Sequence, residues 1–248
     1  MHSVYSHLLS IYEIRGGIYA VLLDPDKKNH SIIESMVIQA NESDVDILLV
    51  GGSLMMDGKS HERVRDIKEQ SKIPVVFFPG SVSQLNSYFD AVLFLSVLSG
   101  RNPHYLIGEQ VISAPIIKDL GLETIPTGYL LLDGGARSTV EFMSGTKPIP
   151  MDRPDITVAH ALAAEYMGMK FVYLEAGSGA ERSVPEEIIN RCVENLNINL
   201  IVGGGIKSPQ EAASKIEAGA SMVVTGSVLE TSQNNSLMKE FADAIHKN

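Results

Sequence analysis

Eight short apolar runs recur along the chain, and each is followed by a longer stretch with helical spacing of its apolar positions. The runs are almost continuously apolar, as expected of parallel strands that are buried on both faces of a sheet. They span Ile18 to Asp24, Val45 to Gly52, Pro74 to Phe78, Ala91 to Leu95, Thr124 to Leu132, Phe171 to Gly177, Leu200 to Gly205 and Ser221 to Ser227. Eight runs in 248 residues give about 31 residues per unit, the size of one strand with its following helix. The pattern predicts a (β/α)₈ TIM barrel, formed as a single domain by residues 1–248.

An open, doubly wound sheet is the alternative architecture, because it also alternates strands with helices. That fold is indicated by a GxGxxG fingerprint after the first strand, whereas the first run here is followed by DPDKKN. The barrel is therefore the preferred prediction.

The segments between the runs carry signals for helix boundaries. Ser208 and Pro209 precede QEAASKIEAGA, which predicts Ser208 as the N-cap, Pro209 at the first helical position and the end of the helix near Gly219. Residues 133–155 are the exception, because they are rich in Gly, Pro and polar residues and have weak helical periodicity. We expect a long loop there, with at most a short helix, on the face where barrel enzymes keep their chemistry.

Charge and composition exclude several classes of protein. The chain carries 20 Lys and Arg against 30 Asp and Glu, a formal net charge of −10, which is the wrong sign for binding nucleic acid. Cys192 is the only cysteine, so neither an internal disulfide nor a thiolate metal cluster is expected. The sequence begins without a signal-peptide pattern and contains no stretch of roughly 20 apolar residues. We expect a cytoplasmic protein that binds no nucleic acid, with room for transient contact with a membrane surface.

Glycines mark the ends of the last two predicted strands, in IVGGGIKSPQEA (Ile201 to Ala212) and VVTGSVLE (Val223 to Glu230). Glycine lets backbone N–H groups approach a phosphate closely, and a following helix N-terminus favours negative charge. Phosphate-binding barrels hold their ligand at these two strand ends. The alternative is that Gly203, Gly204 and Gly205 only turn the chain. Taken alone, the pair indicates a phosphate-binding barrel and no particular reaction.

Polar residues at the first two strand ends are candidates for a metal site. Asp24 ends the first run, where a carboxylate is placed for Mg²⁺ or for proton transfer, and Mg²⁺ commonly combines one or two carboxylates with substrate phosphates. Asp26 is a second carboxylate or only a turn or cap residue. Ser53 lies at the second strand end, where its hydroxyl completes the metal or diphosphate shell or serves as an ordinary N-cap.

Glu175 is an acidic residue inside the otherwise apolar sixth run, YLEAGSGA. A carboxylate there must face the barrel mouth or be paired, because an unpaired buried charge is costly. A general base is the economical interpretation. An ion pair with a neighbouring Lys or Arg is the alternative.

Seven segments together resemble the geranylgeranylglyceryl phosphate synthase family, which includes bacterial heptaprenylglyceryl phosphate synthases. They are LLDPDK, VGGS, LSGRNPHYLIGEQ, PTGYLLLDGG, YLEAGSGA, VGGGIKSPQEA and VVTGS. The match covers nearly the whole chain in order, and YLEAGSG joined to the later VGGGI and TGS is its most distinctive part. The resemblance implies a Mg²⁺-dependent prenyltransferase that joins the sn-3 hydroxyl of sn-glycerol 1-phosphate to a long polyprenyl diphosphate, geranylgeranyl diphosphate or longer.

The resemblance also assigns residues to sites by position. Asp24 and Ser53 match the family's metal site. The glycerol-phosphate site is matched by Tyr173, Leu174, Glu175, Ala176, Gly177, Ser178, Gly179, Gly204, Gly205, Gly226 and Ser227. One position departs from the family's pattern, because many members carry a Lys where this chain has Leu22. The glycine amides would then contribute more to holding the phosphate.

Two other classes of function compete with this interpretation. An isomerase or lyase acting on a sugar phosphate would use the same phosphate grip but needs neither Mg²⁺ nor an apolar groove. A non-catalytic phosphate-binding barrel is the third class, which the presence of Asp24, Ser53 and Glu175 together disfavours.

Two further hypotheses concern apolar residues outside these motifs. Tyr105 and Leu106, in the segment Arg101 to Gln110, either wall a prenyl channel or form the core of the following helix. Phe142 lies in the polar loop between the fifth and sixth runs, where it has no obvious core to join. We expect the chain to form a homo-oligomer, a dimer or a hexamer, in which Phe142 packs into a neighbouring subunit.

Overall fold

Eight parallel strands pair in chain order, and the eighth pairs with the first to close a barrel. This computed structural model describes residues 3–232 and 234–246. The strands are β1 (Ile18–Leu23), β2 (Ile47–Val50), β3 (Val75–Phe77), β4 (Ala91–Val97), β5 (Glu123–Leu131), β6 (Phe171–Glu175), β7 (Asn199–Gly203) and β8 (Met222–Thr225). Each lies within or overlaps one of the eight apolar runs, so the predicted barrel is confirmed. Residues 1, 2, 247 and 248, the ends of the predicted domain, lie outside the described residues.

Ten α-helices accompany the strands in the described part of the chain. They are α1 (Val4–Arg15), α2 (His30–Glu42), α3 (Ser60–Gln70), α4 (Glu109–Leu120), α5 (Thr139–Ser144), α6 (Pro154–Tyr166), α7 (Glu186–Asn195), α8 (Pro209–Glu217), α9 (Ser227–Thr231) and α10 (Leu237–Ile245). Short 3₁₀ turns cover Lys27–Asn29 and Val82–Gln84, and a π-helical turn covers His104–Gly108. None of the described helices is both long and apolar enough to cross a membrane.

The expectation of a helix after every strand is wrong between β3 and β4. Residues 78–90, all of them described, contain only the 3₁₀ turn Val82–Gln84. This connection is short and contains Pro79, Gly80, three Ser residues and Asn86, which favour turns over helix. The other boundary predictions are confirmed: Ser208 caps α8 by accepting a hydrogen bond from the Glu211 N–H at 3.2 Å, and Pro209 is its first residue. The long loop 133–155 contains the short helix α5, and Ile149 pairs with Leu132.

Side chains along each strand point alternately into the barrel and out toward the helices, as the pleat of a β-strand requires. In β1, Ile18 and Ala20 contact the residues that fill the interior, whereas Tyr19, Val21 and Leu23 pack with residues of the surrounding helices. The interior set contains large side chains such as Tyr173 and Phe171, both fully buried. The barrel is therefore a packed core that opens only where the strands end.

Helix α1 covers the N-terminal end of the barrel, opposite the predicted site. Its Val4 and Leu8 pack with the interior side chains. The Glu123 carboxylate, at the start of β5, accepts hydrogen bonds from the Ser3 hydroxyl at 2.6 Å and from the backbone N–H groups of Val4 at 2.6 Å and Tyr5 at 3.1 Å. A carboxylate at a helix N-terminus satisfies N–H groups that have no partner within the helix and interacts favourably with the helix dipole.

We expect Glu123→Ala to lower the free energy of unfolding by about 1–2 kcal/mol, because it removes these hydrogen bonds from the first turn of α1. Urea denaturation followed by circular dichroism measures the change. Glu13→Ala is the matched control, since Glu13 is exposed on the same helix and its loss should change stability by less than about 0.5 kcal/mol. Equal effects of the two substitutions would show that Glu123 does not hold α1.

Candidate active site

A single pocket of about 740 Å³ opens at the C-terminal ends of the strands. Most of the residues predicted from the sequence meet there. The predicted residues that line it are Asp24, Ser53, Tyr173, Glu175, Ser178, Gly179, Gly204, Gly205, Gly226 and Ser227. The barrel brings them together because parallel strands that pair in order end at one rim.

Three predicted residues do not line this pocket with their side chains. Leu174 and Ala176 alternate with Tyr173 and Glu175 along β6 and pack in the outer core, against the helices. Gly177 lies behind Glu175 and donates its N–H to the carboxylate. Only backbone groups of these three residues are left to take part in a phosphate site.

Glu175 ends β6 on the inward face, with 6% of its surface exposed. Its Oε1 accepts the Gly177 N–H at 2.7 Å. Among the described residues no Lys or Arg lies within ion-pair distance of it, so the alternative of a buried ion pair is not supported. Burial raises the pKa of Glu175 above its usual range, with the neighbouring Tyr173 hydroxyl and the Gly177 N–H acting in the opposite direction. A buried carboxylate with a raised pKa is suited to accepting a proton.

The Glu175 carboxylate can occupy this position only because residue 204 has no side chain. A Cβ atom on Gly204 would lie 2.3 Å from Glu175 Oε1, and the backbone there has φ +80°, which side chains rarely tolerate. Gly204 therefore does more than turn the chain. It makes room for the Glu175 carboxylate and lets the end of β7 pack against it.

Two tyrosines flank Glu175, and only one of them was predicted. The rings of Tyr129 and Tyr173 lie 5.5 Å apart, nearly perpendicular, and both line the pocket. Burial and the nearby Glu175 carboxylate raise the pKa values of both phenols well above the usual value. Tyr129 could have been recognised from the pleat, since it alternates with the outward Leu130 in the fifth run.

The loops after β6 and β8 meet at one side of the pocket. The hydroxyl oxygens of Ser178 and Ser227 lie 3.1 Å apart. A Cβ atom on Gly226 would lie 3.3 Å from the Leu22 carbonyl oxygen, so the end of β8 also approaches β1 closely. Serine hydroxyls and glycine backbone from β6, β7 and β8 thus surround one volume, as a phosphate site requires.

The Asp24 carboxylate lies at the end of β1, the strand that pairs with β8. Its Oδ2 is 3.1 Å from Lys28 Nζ, and its Oδ1 lies against the backbone of Gly52, where a Cβ atom would approach to 2.4 Å. Ser53 follows Gly52 and lines the same pocket. The two residues predicted for the metal site are therefore neighbours across the β1 and β2 strand ends.

Asp26 stabilises the loop after β2 through a hydrogen bond. It is 3% exposed, and its Oδ1 accepts the Met56 N–H at 2.7 Å. Burial alone raises its pKa, but hydrogen bonds led by that from Met56 hold the pKa below its usual range. Of the two readings of Asp26, the turn residue agrees with the structure.

The donor set at Asp24 and Ser53 fits a Mg²⁺ ion that substrate phosphates help to bind. Across residues 3–232 and 234–246, no three His, Cys, Asp or Glu side chains are grouped as metal ligands. Mg²⁺ does not need such a cage, since it takes one or two carboxylates and completes its octahedron with phosphate oxygens and water. The absence of a side chain on Gly52 lets Asp24 Oδ1 lie against the backbone that leads to Ser53.

One wall of the pocket is apolar. It is lined by Phe78, Leu95, Val97, Tyr105, Val140 and Met143, from strand β4 and the segments that follow β3, β4 and β5. Tyr105 lines the pocket and also packs on the interior core, whereas Leu106 packs on the outer core. Leu106 therefore belongs to the core, and the hypothesis that Tyr105 walls a prenyl channel stays a prediction.

Carboxylates dominate the charge of the pocket lining. Asp24, Asp26, Glu109, Glu175, Glu181 and Glu230 line it, against Lys28 and Lys207. Lys207 Nζ donates to the Glu181 carbonyl oxygen at 2.9 Å, and Lys28 pairs with Asp24. Leu22, which stands where many family members carry Lys, is half-buried in the same lining. An anionic ligand in this pocket thus requires a bound cation or backbone N–H groups for its neutralisation.

Two relatives illustrate how closely known proteins resemble this chain. The geranylgeranylglyceryl phosphate synthase of Chitinophaga pinensis is 46% identical over 228 residues, which cover 92% of this chain and 90% of the relative. The geranylgeranylglyceryl phosphate synthase of Methanosphaera stadtmanae is 42% identical over 230 residues, covering 92% of this chain and 94% of the relative.

A solved structure agrees over the whole fold. The (S)-3-O-geranylgeranylglyceryl phosphate synthase from Thermoplasma acidophilum, solved in complex with sn-glycerol-1-phosphate, has a TM-score of 0.92 and 33% identity, covering 99% of each chain. The model of the PcrB family matches residues 10–245, nearly the whole sequence. On this match and these identities, the chain belongs to the PcrB family.

Proposed function

We propose that this chain is a Mg²⁺-dependent prenyltransferase. It joins the sn-3 hydroxyl of sn-glycerol 1-phosphate to a long polyprenyl diphosphate, geranylgeranyl diphosphate or longer, through an ether bond, and releases diphosphate. One observation carries the proposal: a single pocket combines a glycine- and serine-rich side, a buried base, a strand-end carboxylate and an apolar wall. The names of the relatives above support the same reaction.

The acceptor is held on the side formed by β6, β7 and β8. Ser178 and Ser227 meet there, and Gly204, Gly205 and Gly226 bring the backbone close enough to hold the phosphate end. With the phosphate fixed, the hydroxyl at the other end of the three-carbon acceptor reaches toward Glu175. When the acceptor is fixed in this way, part of the entropy needed to reach the transition state is already lost on binding, which lowers the barrier of the chemical step.

Glu175 accepts the proton of the sn-3 hydroxyl while the hydroxyl oxygen bonds to the allylic carbon of the prenyl chain. The bond from that carbon to the diphosphate oxygen breaks, and the diphosphate leaves with the electron pair. The Gly177 N–H holds Glu175 Oε1 in place, which leaves the carboxylate to face the acceptor. The apolar wall excludes water, which would otherwise compete as the nucleophile.

The donor diphosphate lies near Asp24 and Ser53. When bound there, Mg²⁺ would neutralise the charge that develops on the leaving diphosphate. The acidic lining supports the need for this cation. Lys28 already pairs with the Asp24 carboxylate, and Lys207 already donates to the Glu181 carbonyl oxygen. The exposed Leu54 and Met56 on the same rim support transient contact with a membrane surface, from which a polyprenyl diphosphate is drawn.

A sugar-phosphate isomerase or lyase is the competing function. Such an enzyme needs an acid and a base around a small polar substrate, and an apolar wall from Phe78 to Met143 has no purpose for it. The prenyltransferase accounts for both sides of the pocket.

The reaction is tested by incubating the protein with labelled sn-glycerol 1-phosphate and prenyl diphosphates of several lengths, in Mg²⁺ and in EDTA. We expect a labelled prenyl ether that extracts into organic solvent and forms only with Mg²⁺. The yield for each donor gives the preferred prenyl length. Conversion of a sugar phosphate without a prenyl donor would favour the isomerase, and phosphate binding without any product would favour a non-catalytic barrel.

Glu175→Gln keeps the side-chain shape and an oxygen that can accept the Gly177 N–H, but it cannot accept a proton. We expect turnover to fall by about 10²- to 10⁴-fold, with unchanged binding of sn-glycerol 1-phosphate by calorimetric titration. The melting temperature should stay the same or rise, because the substitution removes a buried charge. Glu187→Gln, on the surface of α7, is the control. Full turnover in Glu175→Gln would exclude the base, and loss of binding with a lower melting temperature would assign Glu175 a structural role.

Asp24→Asn replaces a carboxylate with an amide, which cannot neutralise a cation. We expect the fold to remain and Mg²⁺-dependent turnover to fall by about 100-fold or more. Initial rates over a range of Mg²⁺ concentrations measure the effect, with a thermal melt to verify folding. Asp66→Asn, on the exposed side of α3, should behave as the unsubstituted protein does. Near-normal rates in Asp24→Asn would remove Asp24 from the metal site.

We also propose that the chain forms a homo-oligomer, a dimer or a hexamer, through Phe142. The side chain lies on α5 and is 87% exposed in the single chain. A large aromatic residue in such a position is typical of an interface anchor. We expect Phe142→Ala to give a smaller particle by light scattering, and an unchanged mass would reject the proposal. Glu141→Ala, its neighbour on α5, is the control.

A further inference from the structure

The loops that carry Asp24 and Ser53 are tied together by one buried arginine. Arg63 lies in the first turn of α3 and is 5% exposed. Its Nε donates to the Pro25 carbonyl oxygen at 2.6 Å, and its Nη1 donates to Asp57 Oδ2 at 3.1 Å. Its Nη2 donates to Asp57 Oδ1. One guanidinium therefore bonds to the residue after Asp24 and to the loop after Ser53.

A second contact joins the same two loops. Asp26, two residues after Asp24, accepts the Met56 N–H, three residues after Ser53, at 2.7 Å. Residues 51–59 contain no helix or strand, so this loop has little backbone hydrogen bonding of its own to fix it. Both contacts follow directly on the point where Asp24 Oδ1 approaches Gly52, in the loops that continue from these two residues.

We propose that Arg63, together with Asp57 and Asp26, is a positioning group that fixes the spacing of Asp24 and Ser53 and thereby sets the affinity of the divalent-cation and diphosphate site. This inference rests on the proposed function. None of the three residues is assigned contact with the metal or the substrates. They act through the two loops, as residues behind a metal ligand commonly do.

The geometry requires arginine in particular. A guanidinium is a planar fork that bonds a carboxylate through two nitrogens and still donates from Nε, whereas a Lys ammonium is a compact point charge. Arg63→Lys therefore keeps the buried charge but cannot reach Asp57 twice and Pro25 at once. The Pro25 carbonyl or one Asp57 oxygen then loses its partner, and the loops can move relative to each other.

The test measures binding of inorganic pyrophosphate by calorimetric titration, in excess Mg²⁺ and in EDTA. We expect Arg63→Lys to weaken the Mg²⁺-dependent binding of pyrophosphate by about 10- to 100-fold, while the affinity for sn-glycerol 1-phosphate changes by less than about twofold. Arg65→Lys is the matched control, because Arg65 lies on the same helix but pairs with Asp66 at the surface. Its pyrophosphate affinity should equal that of the unsubstituted protein.

A second pair of variants separates positioning from metal binding. Asp26→Asn keeps an oxygen that can accept the Met56 N–H and should weaken pyrophosphate binding by less than about threefold, whereas Asp26→Ala should weaken it about tenfold or more. If Arg63→Lys does not fold, Asp57→Asn is measured in its place. The same loss of pyrophosphate affinity and the same nearly unchanged affinity for sn-glycerol 1-phosphate are then expected.

Three results would overturn the inference. The first is that Arg63→Lys binds pyrophosphate as tightly as Arg65→Lys does. The second is that Arg63→Lys loses as much affinity for sn-glycerol 1-phosphate as it loses for pyrophosphate. The third is an absence of Mg²⁺-dependent pyrophosphate binding in the unsubstituted protein. Failure of the proposed reaction is seen separately, as Mg²⁺-dependent pyrophosphate binding without formation of a prenyl ether.

Discussion

The pleat of a closed parallel barrel decides which residues can do chemistry here. Side chains alternate between the interior and the helices, so each strand offers only its last one or two inward residues, and the loop after it, to the mouth. On β6 this residue is Glu175, whereas Leu174 packs outward in the helix-covered core. Burial at that position costs a carboxylate its solvation, which raises its pKa. The strand register thus gives Glu175 both its position and its basicity.

The neighbouring strand must then accommodate the carboxylate. β6 pairs with β7 so that Glu175 lies opposite Gly203, and Gly204 follows with a backbone that excludes a side chain. The glycines at the end of β7 therefore serve two purposes: they open space for the Glu175 carboxylate and let the backbone of β7 come close to the pocket. The segments YLEAGSG and VGGG thus depend on each other in the folded structure, although more than twenty residues separate them in the sequence.

Much of this arrangement follows from the sequence, and the parts that do not follow are long-range. The eight apolar runs predict the barrel, and Asp24, Ser53 and Glu175 are found at the mouth because strand ends converge there. The role of Asp26 could not be derived, since its partner Met56 lies thirty positions away in an irregular loop. Arg63 gave no signal either, because a buried arginine and an exposed one look alike in a helix rich in charged residues.

The two sides of the pocket are made rigid by different means. At the ends of β6 and β7, glycines with positive φ fix short turns directly after the strands. At the end of β2, Gly51 also has a positive φ and lies against Phe78, but the irregular segment beyond it is held by side chains. Arg63 bonds to the loops after β1 and β2, and Gln84, in the 3₁₀ turn after β3, donates to the Gly52 carbonyl oxygen at 2.7 Å. Because folding already orders both loops, less conformational entropy is lost when substrates bind.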